Sequence, residues 1–179
     1  MELQERLLEV LTAKDQRAAI QREMIQRWHG PLICLTLVSP GPVKDSPDRH
    51  SALFFAADRL AKTFVDHGIN VLEQCSRTSA AGPEHYFAVH GEPRAIKNLC
   101  MEMEGTLSWG RLLDIDVIHE NNGKIEAIHR ESLGNATRRC LVCEKPAFEC
   151  MAAKRHSAKE IASAFDALLL MAQRSGSAS

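Results

Sequence analysis

Asp114 and Asp116 stand one residue apart inside the apolar, strand-forming run of residues 110–117. In a β-strand, residues i and i+2 point to the same face and lie about 7 Å apart along the chain, so the two carboxylates should share one face. Two like charges held this close in a half-buried strand repel each other and resist desolvation, unless one is protonated or a cation lies between them. Magnesium-type ions bind through one or two carboxylates plus substrate phosphates, so the pair predicts phosphoryl or nucleotidyl transfer.

The competing interpretation treats Asp114 and Asp116 as solvated acids on an exposed strand face. Two observations count against it. Leu112 and Ile118 share the proposed face, and aspartate is disfavoured in strands unless it has a local role. We therefore expect a magnesium site at this position.

Three cysteines and a histidine further along the chain have a spacing that is compatible with a zinc site. Cys140, Cys143, Cys150 and His156 form the pattern Cys-x2-Cys-x6-Cys-x5-His, which fits one tetrahedral zinc ion. The alternative is three reduced cysteines and a surface histidine, because only the first Cys-x2-Cys is a strong signal on its own. Any zinc here is expected to be structural, since a catalytic zinc needs an open coordination position and the magnesium interpretation leaves it no role.

Length and composition predict one well-buried main domain without a nucleic-acid or membrane partner. The chain has 179 residues, 45% hydrophobic and 25% charged, with a formal net charge of -1. Nucleic acids and anionic membranes select for a strong basic surplus, which this chain lacks. No apolar run reaches the length of a membrane span, and the first residues lack the order of a signal peptide. We therefore expect a cytoplasmic protein whose six cysteines are reduced, metal-bound or buried.

Apolar periodicity and turn residues predict a series of alternating strands and helices. The spacing of residues 3–11 and a capping box at residues 12–15 predict two N-terminal helices, the second ending near Trp28. Strands are predicted at residues 32–38, 69–77, 84–90, 112–118 and 124–130. Further helices are predicted to begin at Pro47, Pro93 and Ala158 and to end near Gly68, Gly105 and Ala172. Asn122-Gly123 is a strong hairpin signal between the last two strands.

This element order, β-α-β-β-α-β followed by one hairpin strand, predicts an α+β fold. The arrangement is the ferredoxin-like, palm-type split βαβ antiparallel sheet with an extra hairpin strand, N-terminal helices and a Cys-rich C-terminal helical segment. Helices should cover one face of the sheet, and the other face should hold a ligand cleft. The first and last core strands should be antiparallel neighbours. This pairing would bring Lys44 and Asp45 near Arg111 and Asp114.

The chain is expected to divide into four segments. These are the N-terminal helices at residues 1–30, the α+β catalytic core at residues 31–132, a Cys/Arg-rich segment with the C-terminal helix at residues 133–173, and a disordered tail at residues 174–179. The third segment begins where apolar periodicity gives way to a basic, cysteine-rich stretch.

Three sequence blocks together resemble the holo-citrate lyase synthase family, the apo-citrate lyase phosphoribosyl-dephospho-CoA transferases. They are residues 39–45 (SPGPVKD), 110–117 (GRLLDIDV) and 138–143 (RRCLVC), and the resemblance runs from about residue 31 to residue 156. It implies that a serine hydroxyl of the citrate lyase acyl-carrier subunit, in its apo form, attacks the α-phosphorus of 2'-(5''-triphosphoribosyl)-3'-dephospho-CoA. Pyrophosphate leaves, and the carrier gains its prosthetic group.

The resemblance also implies roles for individual residues. Asp114 and Asp116 would hold magnesium and act as the catalytic pair. The implied substrate-binding residues are Lys44, Asp45, Arg111, Arg138 and Arg139. The basic members of this set would clamp phosphates, as point charges or as bidentate forks.

Two alternatives stay open at the level of sequence. The same chemistry could act on a malonate decarboxylase carrier subunit. The other alternative is a non-enzymatic, zinc-stabilised module that binds a partner protein through its basic C-terminal segment. Three basic residues of that segment are expected either to be solvated or to dock an acidic carrier protein: Lys154, Arg155 and Lys159. Magnesium-dependent release of pyrophosphate would distinguish a transferase from the non-enzymatic binding module.

Overall fold

The computed structural model describes residues 3–176, which form a mixed α+β arrangement around one five-stranded sheet. The helices are α1 (Leu3–Trp28), α2 (Pro47–Asp66), α3 (Pro93–Thr106), α4 (Ala147–Ala152) and α5 (Ala158–Gly176). The strands are β1 (Leu32–Leu37), β2 (Asn70–Ser79), β3 (Gly82–His90), β4 (Leu113–Asn121) and β5 (Lys124–Ala127). Short 3-10 turns lie at Gly110–Leu112 and Arg130–Leu133. The predicted α+β class is confirmed.

The sheet is antiparallel throughout, with the strand order β2-β3-β1-β4-β5. The predicted pairing of β1 with β4 is confirmed, because Leu32 lies opposite Ile118 and Leu37 lies opposite Leu113. Strand β5 pairs only with the end of β4, from Ile118 to Asn121. The first half of β4 therefore presents a backbone edge that no other strand of residues 3–176 covers.

The connection between β4 and β5 is the predicted two-residue hairpin. Asn122 and Gly123 have positive φ values of 51° and 76°, which an Asn-Gly pair readily adopts in a type I′ turn. Strand β5 is shorter than predicted, because it ends at Ala127 and not at residue 130. Arg130 instead begins a 3-10 turn, and this places it beside the uncovered edge of β4.

The prediction of two N-terminal helices is wrong, because α1 runs without a break through the predicted capping box. Residues 3–28 contain neither glycine nor proline, so helix propagation outweighs the local cap signal. The helix ends where His29 adopts a φ of 51° and donates its N–H to the backbone O of Ile25 at 2.8 Å. Gly30 follows directly and ends the helical pattern.

Two apolar cores lie on opposite faces of the sheet. On one face, α2, α3 and α5 cover side chains such as Ile33 and Leu35. On the other face, Met24 and Ile25 of α1 pack against Leu32. The expectation that helices cover only one face is therefore wrong, because the apolar residues that β1 and β3 present on the second face require a cover as well.

Helix boundaries elsewhere follow local signals. Ser46 caps α2 by accepting the Arg49 N–H at 3.4 Å, and Pro47 occupies the first turn as predicted. Helix α5 continues to Gly176, past its predicted end at residue 172. Residues 1–2 and the last part of the predicted tail, residues 177–179, lie outside the described residues. None of the helices in residues 3–176 is both long enough and apolar enough to cross a membrane.

Candidate active site and cysteine cluster

The predicted metal ligands Asp114 and Asp116 lie on the same face of β4, as their spacing predicts. The alternate residues Leu113, Ile115 and Val117 are buried in the core on the opposite face. Because these apolar side chains fix the strand, they also fix the direction in which the carboxylates point. The packing of the sheet therefore positions the acidic pair.

Asp114 and Asp116 have different electrostatic surroundings. Arg138 Nη2 donates to Asp114 Oδ1 at 2.8 Å, in a partly exposed ion pair. Asp116 is open to solvent on one side, yet the protein around its carboxylate raises its pKa by desolvation, and the charge of Asp114 raises that pKa further. Lys97 and Arg138 lower the pKa of Asp116 without cancelling these effects. The ionised form of Asp116 is therefore only partly stabilised by its neighbours, and a divalent cation with oxygen ligands would stabilise it further.

Lys97 of α3 is a buried cation beside the aspartates that the sequence analysis did not identify. It is 4% exposed, and its Nζ donates to the backbone O of Ile115 at 2.5 Å on the uncovered edge of β4. A cavity of about 160 Å³, here called the aspartate cavity, has a charged lining of Lys97, Asp114, Asp116, Arg130, Glu131 and Arg138. The sequence pattern that could have identified Lys97 is its position two helical turns before Glu104, beside the apolar stripe of α3.

A second cavity, of about 430 Å³, shares part of its wall with the first. Its charged lining, which defines the arginine cavity, is Glu104, Arg111, Arg130, Arg138 and Arg139. Arg130 and Arg138 line both cavities, so the two spaces are neighbours. The four guanidinium groups share three carboxylates, those of Glu104, Asp114 and Glu144. The remaining excess of positive charge suits a ligand that carries phosphates.

Arg130 is another candidate that the sequence analysis did not single out. Its Nη2 donates to Glu104 Oε2 at 2.9 Å. Burial raises the pKa of Glu104, and the neighbouring guanidinium of Arg130 lowers it in part. No sequence pattern marked Arg130, because it was expected to end a strand. Its place at the junction of the two cavities depends on the early end of β5.

Arg111 and Arg139 line the arginine cavity and also bind the loop that follows. Arg111 Nη1 donates to the backbone O atoms of Cys140 and Cys143 at 3.2 and 3.4 Å, and its Nη2 pairs with Glu144. Arg139 Nη1 donates to Glu144 Oε2 at 3.0 Å. Both predicted phosphate ligands therefore anchor this loop in addition to bordering the cavity.

The structure does not bring Lys44 and Asp45 to the aspartates. Lys44 Nζ donates to the backbone O of Ser39, and Asp45 Oδ1 pairs with His50 Nε2 at 2.6 Å. The backbone O of Lys44 lies against Gly82, where an added Cβ would come within 2.6 Å of it. This close approach draws the loop after β1 toward the β2–β3 hairpin. Within residues 3–176, neither residue makes a hydrogen bond or ion pair with β4, and neither lines the aspartate cavity.

The residues of the predicted zinc motif come together in space. The ligand atoms of Cys140, Cys143, Cys150 and His156, here called the cysteine cluster, all lie within 4.8 Å of one another. Cys143 Sγ and Cys150 Sγ are 3.5 Å apart, and Cys140 and Cys150 are buried. The predicted grouping is confirmed, and the cluster could hold a metal ion such as zinc.

Comparison with known proteins gives consistent matches along most of the chain. The sequence model of the family described as apo-citrate lyase phosphoribosyl-dephospho-CoA transferase matches residues 5–171. A protein of that name from Citrobacter koseri is 34% identical over 161 residues, which is 90% of this chain and 86% of the relative. Proteins of the same name from Shigella boydii and from Escherichia coli O157:H7 are each 32% identical, with the same 90% and 86% coverage. The matched residues include both cavities and the cysteine cluster.

Proposed function

We propose a prosthetic-group transferase function for this chain, which belongs to the apo-citrate lyase phosphoribosyl-dephospho-CoA transferase family. In this proposal, the phosphoribosyl-dephospho-CoA group moves from 2'-(5''-triphosphoribosyl)-3'-dephospho-CoA to a serine of the acyl-carrier subunit of apo-citrate lyase, and pyrophosphate leaves. The observation that carries the proposal is the junction of a carboxylate pair with a cavity lined by four arginines. Because the family consists of transferases, a non-enzymatic binding module is no longer needed as an explanation.

The donor set of the aspartate cavity fits magnesium. Asp114 and Asp116 offer carboxylate oxygens from one face of β4, and these are the protein ligands that magnesium takes in phosphate chemistry. Desolvation, together with repulsion from Asp114, raises the pKa of Asp116, and a bound cation would stabilise its charged form. A bound magnesium ion would neutralise charge on the phosphate oxygens of the donor.

Arg130 and Arg138 are the proposed ligands of the donor triphosphate at the junction of the two cavities. Each planar guanidinium group can donate two parallel hydrogen bonds to phosphate oxygens. Lys97, held by the backbone O of Ile115, adds a fixed positive charge on the side of the aspartates. In-line displacement at phosphorus depends mainly on such positioning and charge stabilisation. The departing pyrophosphate is the group that these cations would stabilise most.

The other predicted substrate ligands have different degrees of support. Arg111 and Arg139 stay in the proposal as ligands of outer phosphate groups, since both line the arginine cavity. Lys44 and Asp45 stay predictions without a supporting contact, because their hydrogen bonds lie outside both cavities. In this proposal, binding of the donor therefore depends chiefly on the guanidinium groups.

The sheet supports a palm-type arrangement for this site. The element order β1-α2-β2-β3-α3-β4, with β1 and β4 as antiparallel neighbours, matches a split βαβ unit, and β5 is the extra hairpin strand. The acidic pair then lies on the strand next to the central strand β1. We also place the reaction in the cytoplasm, where thiols such as those of the cysteine cluster stay reduced.

Transfer can be measured by incubating the chain with the apo-carrier subunit, the triphosphate donor and magnesium, and then weighing the carrier by mass spectrometry. The proposal predicts a mass increase equal to one phosphoribosyl-dephospho-CoA group and an equal amount of released pyrophosphate. Asp114→Asn should slow this transfer. Asp166→Asn, at an exposed aspartate of α5, is its matched control and should not. An unmodified carrier, or equal modification in the absence of magnesium, would contradict the proposal.

The identity of the acceptor is tested in the same assay with a malonate decarboxylase carrier subunit. Family membership predicts faster transfer to the citrate lyase carrier. A preference for the malonate decarboxylase carrier would leave the chemistry intact and change the assigned partner.

A further inference from the structure

The cysteine cluster has the donor set and approximate size of a tetrahedral zinc site. Zinc–sulfur bonds of about 2.3 Å place the sulfur atoms of such a site roughly 3.8 Å apart. Cys143 Sγ already lies 3.5 Å from Cys150 Sγ, and all ligand atoms of the cluster lie within 4.8 Å of one another. The Nε2 atom of His156 is buried and has no hydrogen-bond partner within residues 3–176. A buried nitrogen in this state costs free energy unless a ligand engages it, and a metal ion would do so.

The backbone around the Cys-x2-Cys pair forms a closed loop. The Cys140 N–H donates to the backbone O of Lys145, and the Ala147 N–H donates to the backbone O of Arg138, both at 2.8 Å. The Val142 N–H donates to Cys140 Sγ at 3.4 Å. Backbone donors of this kind support a thiolate that ligates a metal. Residues 138–147 are called the cysteine loop below.

Apolar packing holds this part of the chain at few points, and within the cysteine loop Leu141 packs against the main core. Between residues 134 and 160, all of which the structure describes, only Cys140 and Cys150 are buried. Lys154 turns the chain back toward the cluster with a φ of 45°, which is an unfavourable conformation for a residue with a long side chain. The Arg155 N–H then donates to the backbone O of Cys150 at 3.0 Å, directly before His156. A bound metal is the usual means of ordering such a segment.

We propose that the cysteine cluster binds one structural zinc ion and that this ion fixes the cysteine loop, which delivers Arg138 to Asp114. Arg138 stands two residues before Cys140, and its guanidinium pairs with Asp114 at 2.8 Å. The backbone O atoms of Cys140 and Cys143 also hold the guanidinium of Arg111. Metal binding at the cluster and charge balance at the aspartates are therefore linked through one loop.

A disulfide between Cys143 and Cys150 is the main competing state of the cluster. All three cysteines of the cluster are free thiols in the structure. A disulfide would use two of the four donors and would leave Cys140 and the buried Nε2 of His156 unused. Zinc uses all four donors, so the geometry favours the metal.

Metal content tests the first half of the proposal. Full-length protein purified without chelator should contain about one zinc ion per chain by inductively coupled plasma mass spectrometry, and cobalt substitution should give the visible spectrum of a tetrahedral thiolate site. Cys143→Ser should lose this stoichiometry, whereas Cys75→Ser, at an exposed cysteine of β2, should keep it. Zinc-free protein that takes up no cobalt when fully reduced, or a Cys143–Cys150 disulfide in protein kept anaerobic, would overturn the proposal.

Hydrogen exchange tests the second half without a transfer assay. Removing zinc from the wild-type chain should speed exchange at the Cys140 and Ala147 amides by about tenfold or more, because their hydrogen bonds close the cysteine loop. The amides of β1 and β4 should keep their rates and serve as the internal control. Equal exchange in the loop with and without zinc would overturn the link. Because neither measurement uses the carrier or the donor, this inference and the proposed function can fail separately.

Discussion

The sheet and the cysteine loop supply opposite charges to one site, and different forces hold them in place. The two aspartates emerge from β4, whose alternate residues are buried in the main core, so hydrophobic packing fixes the carboxylates. Arg138 comes from a segment with few buried residues, where backbone hydrogen bonds and, in our proposal, a zinc ion determine the position. The acidic half of the site should therefore persist whenever the sheet is folded, whereas the basic half also requires an ordered loop.

Removing the negative charge of the two aspartates on β4 should have the largest effect on the rate of transfer. Asp114→Asn and Asp116→Asn should each lower kcat about 10³-fold, because an amide holds magnesium poorly and leaves phosphate charge uncompensated. Steady-state release of pyrophosphate measures the change, with Asp166→Asn as the matched control. Turnover within a few-fold of the unmodified protein in both variants would remove the pair from the mechanism.

Disordering the loop while keeping the sheet should have the next largest effect. Stripping zinc at constant magnesium should lower kcat/KM by about 10- to 100-fold, the range seen when groups that support a site are lost. Adding zinc back should restore the rate in the unmodified protein and not in Cys150→Ser. Thermal unfolding followed by circular dichroism is the control for the sheet. Full activity of the zinc-free protein would mean that the loop orders without metal.

Arg130 and Arg139 allow the two regions to be compared within one cavity. The Arg130 side chain is 20% exposed and pairs with the half-buried Glu104, whereas the Arg139 side chain is 66% exposed. Arg130→Lys should raise KM for the donor about tenfold, because an ammonium group cannot replace the guanidinium fork. Arg139→Lys should change it by less than about threefold. Donor titrations of both variants measure KM, and melting curves detect any loss of the Arg130–Glu104 pair. Equal effects of the two substitutions on KM would contradict this prediction.

The smallest effect concerns the stability of the sheet without a cation. The folded-state pKa of Asp116 lies above its ordinary value of 3.8. The contribution of Asp116 to the free energy of unfolding is therefore most favourable at low pH, where the carboxyl is protonated, and is lost as the pH rises through the raised pKa. At neutral pH without magnesium, Asp116→Asn should therefore raise Tm by about 1–4 °C. The gain should vanish well below the ordinary pKa, where both folded and unfolded chains are protonated. Differential scanning calorimetry across this pH range measures the difference in Tm between Asp116→Asn and the unmodified protein. A lower Tm of the variant at neutral pH would contradict the prediction.

Local signals were sufficient to predict the sheet and the donor groups. The hairpin at Asn122 follows from turn chemistry, and the pairing of β1 with β4 follows from the β-α-β-β-α-β element order that periodicity predicts. The common face of Asp114 and Asp116 follows from the same alternation. The grouping of the cysteine cluster followed from ligand spacing. The hairpin, the shared face and the cysteine cluster are each determined within about twenty residues, whereas the β1–β4 pairing follows from the order of the elements along the chain.

Tertiary approach determined what the sequence analysis missed. Lys97 and Arg130 reach the aspartates only because α3 and the turn after β5 come close to the uncovered edge of β4, and no local pattern encodes that approach. Lys44 was misplaced because a close contact with Gly82 directs its loop toward the β2–β3 hairpin. In α1, continuous helix propensity overrode a capping box that was correct as a pattern.

The short length of β5 also bears on aggregation. An unpaired strand edge is a template onto which another polypeptide can add and start intermolecular β-structure. Here the backbone O of Ile115 accepts from Lys97 Nζ, and the backbone O of Val117 accepts from the Ile128 N–H. An invading strand would have to displace the Lys97 ammonium group from the one acceptor that it has within residues 3–176. We therefore expect the same lysine that we propose as a fixed charge beside the aspartates to keep the protein monodisperse at high concentration.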